Sequence, residues 1–286
     1  MNWSYQIPPH LYFVASAIFH YLGPSFAVLL FTRVSVDGVA WLRILSAAII
    51  FAIWRRPWNT FMHVNIKVRY LIIALGVTFA LMNYSFYYAI DKLPLGTVAA
   101  IEFIGPVLLA LTGTKTFRNL FALALTTTGV WFLTDARIEG ELEGFFWAFV
   151  NAICFIVYII LAHRLSSIDA QTKSVDRLGA SVIFAAVMIT PLGIEGALPA
   201  FTNTVAILAG IGVGISSSVI PYVLDQLAMS KLSRATYSLF VALLPATAVI
   251  IGIIVLKQIP TSVEIAAVTA IISGVLISQD KKQDNK

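Results

Sequence analysis

Residues 83–107 read NYSFYYAIDKLPLGTVAAIEFIGPV and set the character of the whole chain. Their second half is apolar except for Glu102, which is the only charged residue between Lys92 and Lys115. An ionised side chain costs about 3 kcal/mol or more inside hydrocarbon, so acids there usually serve a transport pathway or pair with a cation. Pro106 follows four residues later and has no N–H to bond the carbonyl of residue 102. We therefore predict a broken transmembrane helix that presents a polar site at Glu102.

The composition is that of an integral membrane protein. The chain has 286 residues, of which 59% are apolar and only 12% are charged, with a mean hydropathy of +0.89. Soluble domains carry roughly twice this share of charged residues. The net charge of +5 comes from Lys and Arg in short loops between apolar runs, so it does not indicate nucleic-acid binding. The single Cys154 lies in an apolar run, so we expect no disulfide and no metal site.

Charged residues divide the chain into ten apolar stretches that are separated by short connections. Several stretches are near the lower limit of about 17 residues for a helix that crosses the bilayer. The ten predicted spans cover residues 11–32, 36–54, 70–90, 95–114, 119–134, 144–162, 178–193, 204–229, 236–256 and 265–279. We therefore predict an all-α integral membrane protein with ten transmembrane helices in contact with the lipid bilayer.

Lys and Arg are distributed unevenly between the two sides that ten spans define. If the N-terminus is cytoplasmic, the outer loops hold only Arg33, Lys92, Arg137 and Lys257, and Arg43 lies within the second span. The other 14 of the 19 Lys and Arg residues then lie in the inner loops and the C-terminal tail. Because cytoplasmic loops carry the excess of positive charge, we predict a multi-pass protein of the bacterial cytoplasmic (inner) membrane with both termini in the cytoplasm.

The two halves of the chain share a pattern. A shift of 139 positions places Pro106 on Pro245 and Lys92-Leu93 on Lys231-Leu232 without a gap. A helix end, a short loop and a helix with a central proline therefore occur twice, which indicates an internal duplication. The predicted repeats are five helices over residues 1–137 and five over residues 138–286.

An odd number of spans in each repeat has a consequence for orientation, because the second repeat must enter the membrane upside down relative to the first. Inverted repeats pack about a pseudo-two-fold axis in the membrane plane, and their substrate site lies near the midplane at the repeat interface. This arrangement predicts a transporter.

Glu102 is the first candidate for a substrate or proton site, since intramembrane acids are functional by default. The alternative is a structural ion pair, with Arg43 as its partner. Arg43 lies near the outer end of the second span, where it can neutralise Glu102, hold a substrate carboxylate or extend to the interface. The sequence leaves these interpretations open.

His20 and Asp225 are further candidates for the substrate or proton site. An imidazole titrates near neutral pH, so His20 can bind substrate or carry a proton. The alternative is a histidine that is hydrogen-bonded to a neighbouring helix. Asp225 lies one turn from the cytoplasmic end of the eighth predicted span, where it either serves the site or reaches interfacial water.

Prolines within the predicted spans are candidate hinges. Pro24 removes the N–H that would bond the carbonyl of His20, and Pro221 does the same for the carbonyl of Ser217. Ser217 and its neighbours then either line a polar cavity or bond another helix. Kinks without a mechanical role are the alternative, since proline is frequent in spans. The candidate hinge residues are Pro24, Gly105, Pro106, Pro221 and Pro245.

Three tyrosines, Tyr84, Tyr87 and Tyr88, share a helical face by their i, i+3, i+4 spacing. They either line the outer mouth of a cavity or belong to the interfacial aromatic belt of a membrane protein. The sequence does not decide between these positions.

Sequence motifs of common enzymes are absent. The chain contains no Gly-x-Ser-x-Gly, no His-Glu-x-x-His and no Walker loop, so we predict no enzymatic activity, no cofactor and no transport driven by ATP hydrolysis in this chain. The remaining energy sources are an ion gradient and the substrate's own gradient.

Six sequence stretches carry a family resemblance. They are Asn83-Tyr84 with Phe86-Tyr87, Leu93-Pro94-Leu95-Gly96, Glu102-Phe103, Gly105-Pro106-Val107, Gly129-Val130-Trp131-Phe132-Leu133, and Pro221-Tyr222 with Leu224-Asp225, and Arg43 joins them. With these stretches the chain resembles the EamA family of the drug/metabolite transporter superfamily, and within it the RhtA-type threonine/homoserine exporters. The resemblance covers nearly the whole chain and brings Asn83 and Tyr84 into the expected site.

The resemblance implies export of a small, amino-acid-like metabolite by proton antiport. Two departures stand beside it: Leu244 occupies the position before the second proline where related exporters carry glutamate, and Lys257-Gln258 replaces Gly-Glu. Two alternatives therefore stay open. One is export of another drug or metabolite on the same fold, and the other is a membrane scaffold or receptor without transport.

Overall fold

The computed structural model describes residues 9–105, 117–135, 141–166, 168, 171–229 and 244–278, and every regular element in these ranges is a helix. The α-helices are α1 (Pro9–Leu30), α2 (Val36–Arg55), α3 (Trp58–His63), α4 (Ile66–Lys92), α5 (Leu95–Glu102), α6 (Phe117–Asp135), α7 (Leu142–Ser166), α8 (Gln171–Phe201), α9 (Thr204–Gly214), α10 (Ile220–Met229), α11 (Leu244–Leu256) and α12 (Ser262–Ser278). A π-helical segment, Ile215–Val219, joins α9 to α10. The predicted all-α class is confirmed.

Six helical segments in the described ranges are long and apolar enough to cross a membrane. They begin at Leu11, Val36, Ile66, Leu142, Ser174 and Thr204, and three shorter apolar helices lie in α6, α11 and α12. Every predicted span overlaps a described helix, so the protein is a multi-pass helical membrane protein. The count of ten crossings and their inverted arrangement stay predictions.

Two predicted loops contain more helix than expected. The short helix α3 lies in the loop after α2, and α8 extends well beyond its predicted limits of 178–193. The predicted spans end at charged residues, but the charged residues at the start of α8 have partners within the fold. Asp176 accepts a hydrogen bond from Arg55 at 2.6 Å, and Arg177 donates to the carbonyl of Leu165 at 2.7 Å.

The helices pack in pairs, and loops lie at two ends of the bundle. The largest contacts are those of α2 with α8, α4 with α7, and α6 with α12. The Arg55–Asp176 ion pair lies at one end, where the loop after α2 meets the start of α8. The opposite end holds the start of α5, where the Leu95 N–H donates to Oε1 of Gln258. The loops after α2 and after α4 thus lie at opposite ends, as a transmembrane crossing by α4 requires.

Candidate substrate and proton site

A cavity of about 60 Å³ lies where α1, α2, α4, α5, α7, α10 and α11 converge, which leaves room for about two water molecules. Both halves of the chain contribute to it. Its lining comprises His20, Tyr21, Arg43, Met82, Asn83, Phe86, Glu102, Asn151, Phe155, Tyr158, Ile159, Tyr222, Asp225 and Leu244. Five of the six predicted site residues therefore share one cavity, and Tyr84 does not.

Glu102 lies at the point where α5 ends. The Phe103 N–H bonds the carbonyl of Ala100 at 3.2 Å, a tighter turn than an α-helix makes. The carboxylate is only 9% exposed, and its Oε1 accepts a hydrogen bond from Nδ2 of Asn151 at 2.6 Å. The α-helix is thus interrupted at Phe103, directly after Glu102, and residues 104 and 105 are helical again. Pro106 lies outside the described ranges, so the predicted break at this proline stays a prediction. The carboxylate is a buried acceptor that faces the cavity.

Arg43 contacts the π-helical segment. Its Nε donates to the hydroxyl of Ser218 at 2.8 Å, and its Nη2 donates to the carbonyl of Ser217 at 2.7 Å. Pro221 lacks the N–H that would bond the Ser217 carbonyl, so the guanidinium replaces a missing backbone bond. The guanidinium also lies 5.3 Å from the centre of the Tyr87 ring. Arg43 and Glu102 form no ion pair in the described residues, so the geometry does not support the structural-pair interpretation.

Replacing Arg43 by lysine tests this contact. An ammonium cannot reproduce the two-pronged geometry of a guanidinium, so one buried polar group of the π-helical segment loses its partner. We expect Arg43→Lys to lower the free energy of unfolding by about 1–3 kcal/mol. Thermal unfolding in detergent measures the change, with the exposed Arg33→Lys as a matched control. Equal melting temperatures for the two variants would contradict the structural role of Arg43.

His20 and Asp225 form a hydrogen-bonded pair at the cavity. Nε2 of His20 lies 2.8 Å from Oδ2 of Asp225, and the Ser16 hydroxyl donates to Oδ1 at 2.6 Å. Asp225 is 5% exposed. The interpretation that it reaches interfacial water is therefore wrong, because α1 covers it and supplies both partners. The Tyr222 ring meets the imidazole edge to face at 5.0 Å between centres.

Asn83 and the tyrosines of α4 take different positions. Asn83 is buried at the cavity and donates Nδ2 to the carbonyl of Phe79 at 2.7 Å. Tyr84 lies outside the cavity, stacked against Tyr88 and against Trp147 of α7. Tyr87 instead is fully buried beneath Arg43. The three tyrosines therefore do not act as one surface: Tyr84 and Tyr88 lie about 40° apart around the helix, whereas Tyr87 is rotated away by about 60° and about 100°.

The predicted hinge residues differ in what surrounds them. Pro24 lies inside α1, and Pro221 follows the π-helical segment in α10. Gly105 packs so closely on α7 that a Cβ there would lie 2.5 Å from Cγ1 of Ile156. Pro245 is buried in the first turn of α11 as described. A hinge function at these residues and at Pro106 stays a prediction.

The sequence analysis missed two hydrogen-bonding partners in this region. Asn151 is a polar residue inside an apolar run, so the rule that drew attention to Glu102 also applies to it once amides are counted. Ser16 has no such signal, because single hydroxyls are common in transmembrane helices. Leu244 lines the cavity, and Gln258 accepts from the first N–H of α5.

Comparisons with known proteins agree with this picture. Residues 142–278 match the EamA-like transporter family. The threonine/homoserine exporters RhtA of Salmonella typhimurium (strain LT2) and Escherichia coli (strain K12) are each 29% identical over 256 residues, which cover 88% of this chain and 84% of the relatives. A solved structure described as "Crystal structure of protein" shares the fold, with a TM-score of 0.63 and 14% identity over 94% of this chain and 95% of that one.

These findings fix the class of the protein. It is a transporter of small molecules in the inner membrane and not an enzyme. The second half of the chain carries the matched domain, and the similarity to the exporters extends through both halves. Its second half matches the EamA-like transporter family, and over most of its length the chain is similar to the RhtA threonine/homoserine exporters.

Proposed function

We propose that this protein exports a small amino acid of the threonine and homoserine type from the cytoplasm in exchange for protons. The observation that carries the proposal is the buried Glu102 carboxylate, held by Asn151 in a cavity that both halves of the chain form. A scaffold or receptor does not need a buried acid at such a place, whereas a transporter needs a polar site to bind its cargo.

The polar groups of the cavity suit a zwitterion. The carboxylate of Glu102 accepts hydrogen bonds from a substrate ammonium group. Arg43 uses Nε and Nη2 in its own contacts, so Nη1 remains for a substrate carboxylate. Charge-assisted bonds of both kinds are stronger than neutral ones.

Two buried atoms indicate a hydroxyl-bearing cargo. Oδ1 of Asn151 and the hydroxyl of Tyr158 have no hydrogen-bond partner among the described residues, and both residues line the cavity. Buried polar atoms are normally satisfied, so unpaired ones facing a cavity favour a ligand that completes them. A site built to bond a hydroxyl also discriminates strongly against analogues that lack it.

The apolar part of the cavity lining favours a second candidate cargo. Met82, Phe86, Phe155 and Leu244 present an apolar surface to the same cavity. This surface would contact the apolar part of a metabolite or drug after the cavity of about 60 Å³ widens to admit it. Comparison of homoserine with leucine as cargo separates these candidates.

The packing of the helices supports the proposed inverted repeats over residues 1–137 and 138–286. An exchange of repeats would pair α2 with α8, α5 with α11 and α6 with α12, and each of these pairs is in contact. It would also relate the contact of α4 with α7 to that of α10 with α1, which is present as well. A cavity at the centre of such an arrangement can open alternately to either side.

Efflux from proteoliposomes tests the proposed function. Vesicles loaded with radiolabelled homoserine, threonine or leucine are diluted into buffer that is more acidic than the interior. We expect the gradient to accelerate the efflux of homoserine and threonine, because protons entering the vesicle exchange for cargo that leaves it. Protein-free vesicles are the control. No efflux for any cargo, with or without the gradient, would favour the scaffold or receptor.

The orientation of the chain has its own test, which rests on the distribution of Lys and Arg. A cytoplasmically active reporter fused after Lys286 should be active, whereas the same reporter inserted near Gly140 should be inactive. A periplasmically active reporter should give the opposite pattern at both positions. The same side for the two positions would contradict ten crossings, and a full reversal would contradict the cytoplasmic assignment of the termini.

A further inference from the structure

Two carboxylates occupy the cavity with partners of different chemistry. Glu102 is bonded by the amide of Asn151, which cannot exchange a proton at physiological pH. Asp225 is bonded by the imidazole of His20 and the hydroxyl of Ser16, so both of its oxygens are engaged. Glu102 is therefore the carboxylate available to bind cargo. Asp225 belongs to a pair with His20, and the charge of this pair can change.

The geometry assigns the roles of the two ring nitrogens of His20. An ionised Asp225 only accepts hydrogen bonds, so Nε2 of His20 carries the hydrogen between them. Nδ1 is then the basic nitrogen of the neutral ring. A proton that binds Nδ1 makes an imidazolium, and the adjacent carboxylate balances its charge. Release of that proton leaves the pair with one negative charge.

The surroundings of His20 include every charged or titratable side chain of the cavity lining. These are Tyr222 and Asp225 of α10, Glu102 of α5, Arg43 of α2 and Tyr158 of α7, with Tyr21 on its own helix, whereas α4 contributes no titratable side chain to the lining. Tyrosine and arginine keep their protons near neutral pH. The described residues of α9 and α11, which also pack on α1, contain no titratable group. The imidazole is therefore the group that can take up a proton, on Nδ1, while its other nitrogen stays bonded to Asp225.

Protons can reach this pair from the cavity. The His20 side chain is 18% exposed, compared with 8% for Asp225, so the imidazole is the more accessible partner. Pro24 removes the backbone hydrogen bond to the carbonyl of His20, which leaves the turn that carries the imidazole with one restraint fewer. Movement of this turn would change the position of Nδ1 in the cavity.

From these observations we propose that His20 and Asp225 form the proton-carrying site of the exporter, separate from Glu102, which binds the ammonium group of the cargo. This inference rests on the proposed function. Two positive charges in one small cavity repel each other, and the repulsion is poorly screened away from water. The cargo ammonium and the His20 proton therefore exclude each other, which is the requirement of antiport.

Two fluxes in the same vesicles test whether the proton-carrying pair is separate from the cargo site at Glu102. The first is homoserine exchange with equal concentrations and equal pH on both sides, and the second is uptake driven by an acidic interior. We expect the ratio of driven uptake to exchange to fall by about tenfold or more in His20→Gln, because an amide cannot take up the proton. The matched control is His63→Gln on α3, an exposed histidine far from the cavity, whose ratio should equal that of the wild type.

A binding measurement keeps the test decisive if His20→Gln transports poorly. Calorimetry of homoserine binding in buffers of different ionisation enthalpy counts the protons released per molecule bound. We expect release by the wild-type protein and a value near zero for His20→Gln and for the double variant His20→Gln, Asp225→Asn, which keeps a polar pair without charge. Both variants are first checked for a single folded species by gel filtration.

The possible failures are distinguishable. An unchanged flux ratio in His20→Gln, or unchanged proton release, would overturn the proton-carrying pair and leave the proposed export intact. Loss of homoserine binding in folded His20→Gln would also overturn it, because His20 would then belong to the cargo site. Absence of binding and of all flux in the wild-type protein would overturn the proposed function itself.

Discussion

Glu102→Gln should fold normally and lose export. Glutamine fits the same space and relieves the desolvation of a buried charge, so we expect no loss of folded protein. The amide can neither pair with an ammonium group nor exchange a proton. Loss of a charge-assisted bond of about 2–3 kcal/mol corresponds to a decrease of about 30- to 100-fold in homoserine efflux. Efflux per folded molecule in proteoliposomes measures it.

Two further variants make the result specific. Glu195→Gln, at an exposed position of α8, is the matched control and should transport like the wild type. The double variant Glu102→Gln, Arg43→Gln should stay inactive, because Arg43 bonds the π-helical segment and not Glu102. Recovery of efflux in the double variant would instead indicate a structural ion pair.

Gly23→Leu should have the largest effect on folding. A Cβ at Gly23 would lie 2.5 Å from Cβ of Ser217 and 2.8 Å from its backbone nitrogen, so α1 and the π-helical segment meet without space for a side chain. Small residues allow such close approaches between membrane helices. A leucine must push the two segments apart, and we expect a destabilisation of about 3 kcal/mol or more. Monodisperse protein by gel filtration should fall sharply.

The control for this substitution lies in α9, directly before the π-helical segment. Gly212 has no atom within 4 Å of the position of an added Cβ, so Gly212→Leu should leave the yield and the melting temperature near those of the wild type. Similar yields for Gly23→Leu and Gly212→Leu would contradict the close contact of α1 with the π-helical segment.

The sequence predicted the parts of this protein that depend on the solvent properties of the bilayer. An acid in an apolar run is costly, so Glu102 could be singled out before any contact was known. Proline lacks an N–H, so the free carbonyl of Ser217 could be predicted as well, and Arg43 supplies its donor. Both predictions follow from local chemistry.

Contacts between distant segments could not be predicted in the same way. Asp225 seemed close to the interface because only its own helix was considered, whereas α1 buries it through His20 and Ser16. The partner of Arg43 was also unpredictable, since several acceptors suit a guanidinium. Asn151 was not predicted because it is uncharged, and the search for buried polar sites considered charged residues. Pairing across helices depends on packing, which the hydropathy pattern does not specify.

Uphill transport tests the central claim most directly. Proteoliposomes with an acidic interior receive the same concentration of homoserine inside and outside, and the internal concentration is followed with time. Antiport predicts that homoserine accumulates inside, since each proton that leaves draws cargo inward, and that a protonophore abolishes the accumulation. Equal concentrations that persist in the presence of the gradient, with rapid exchange of label, would show a passive carrier and contradict proton-coupled export.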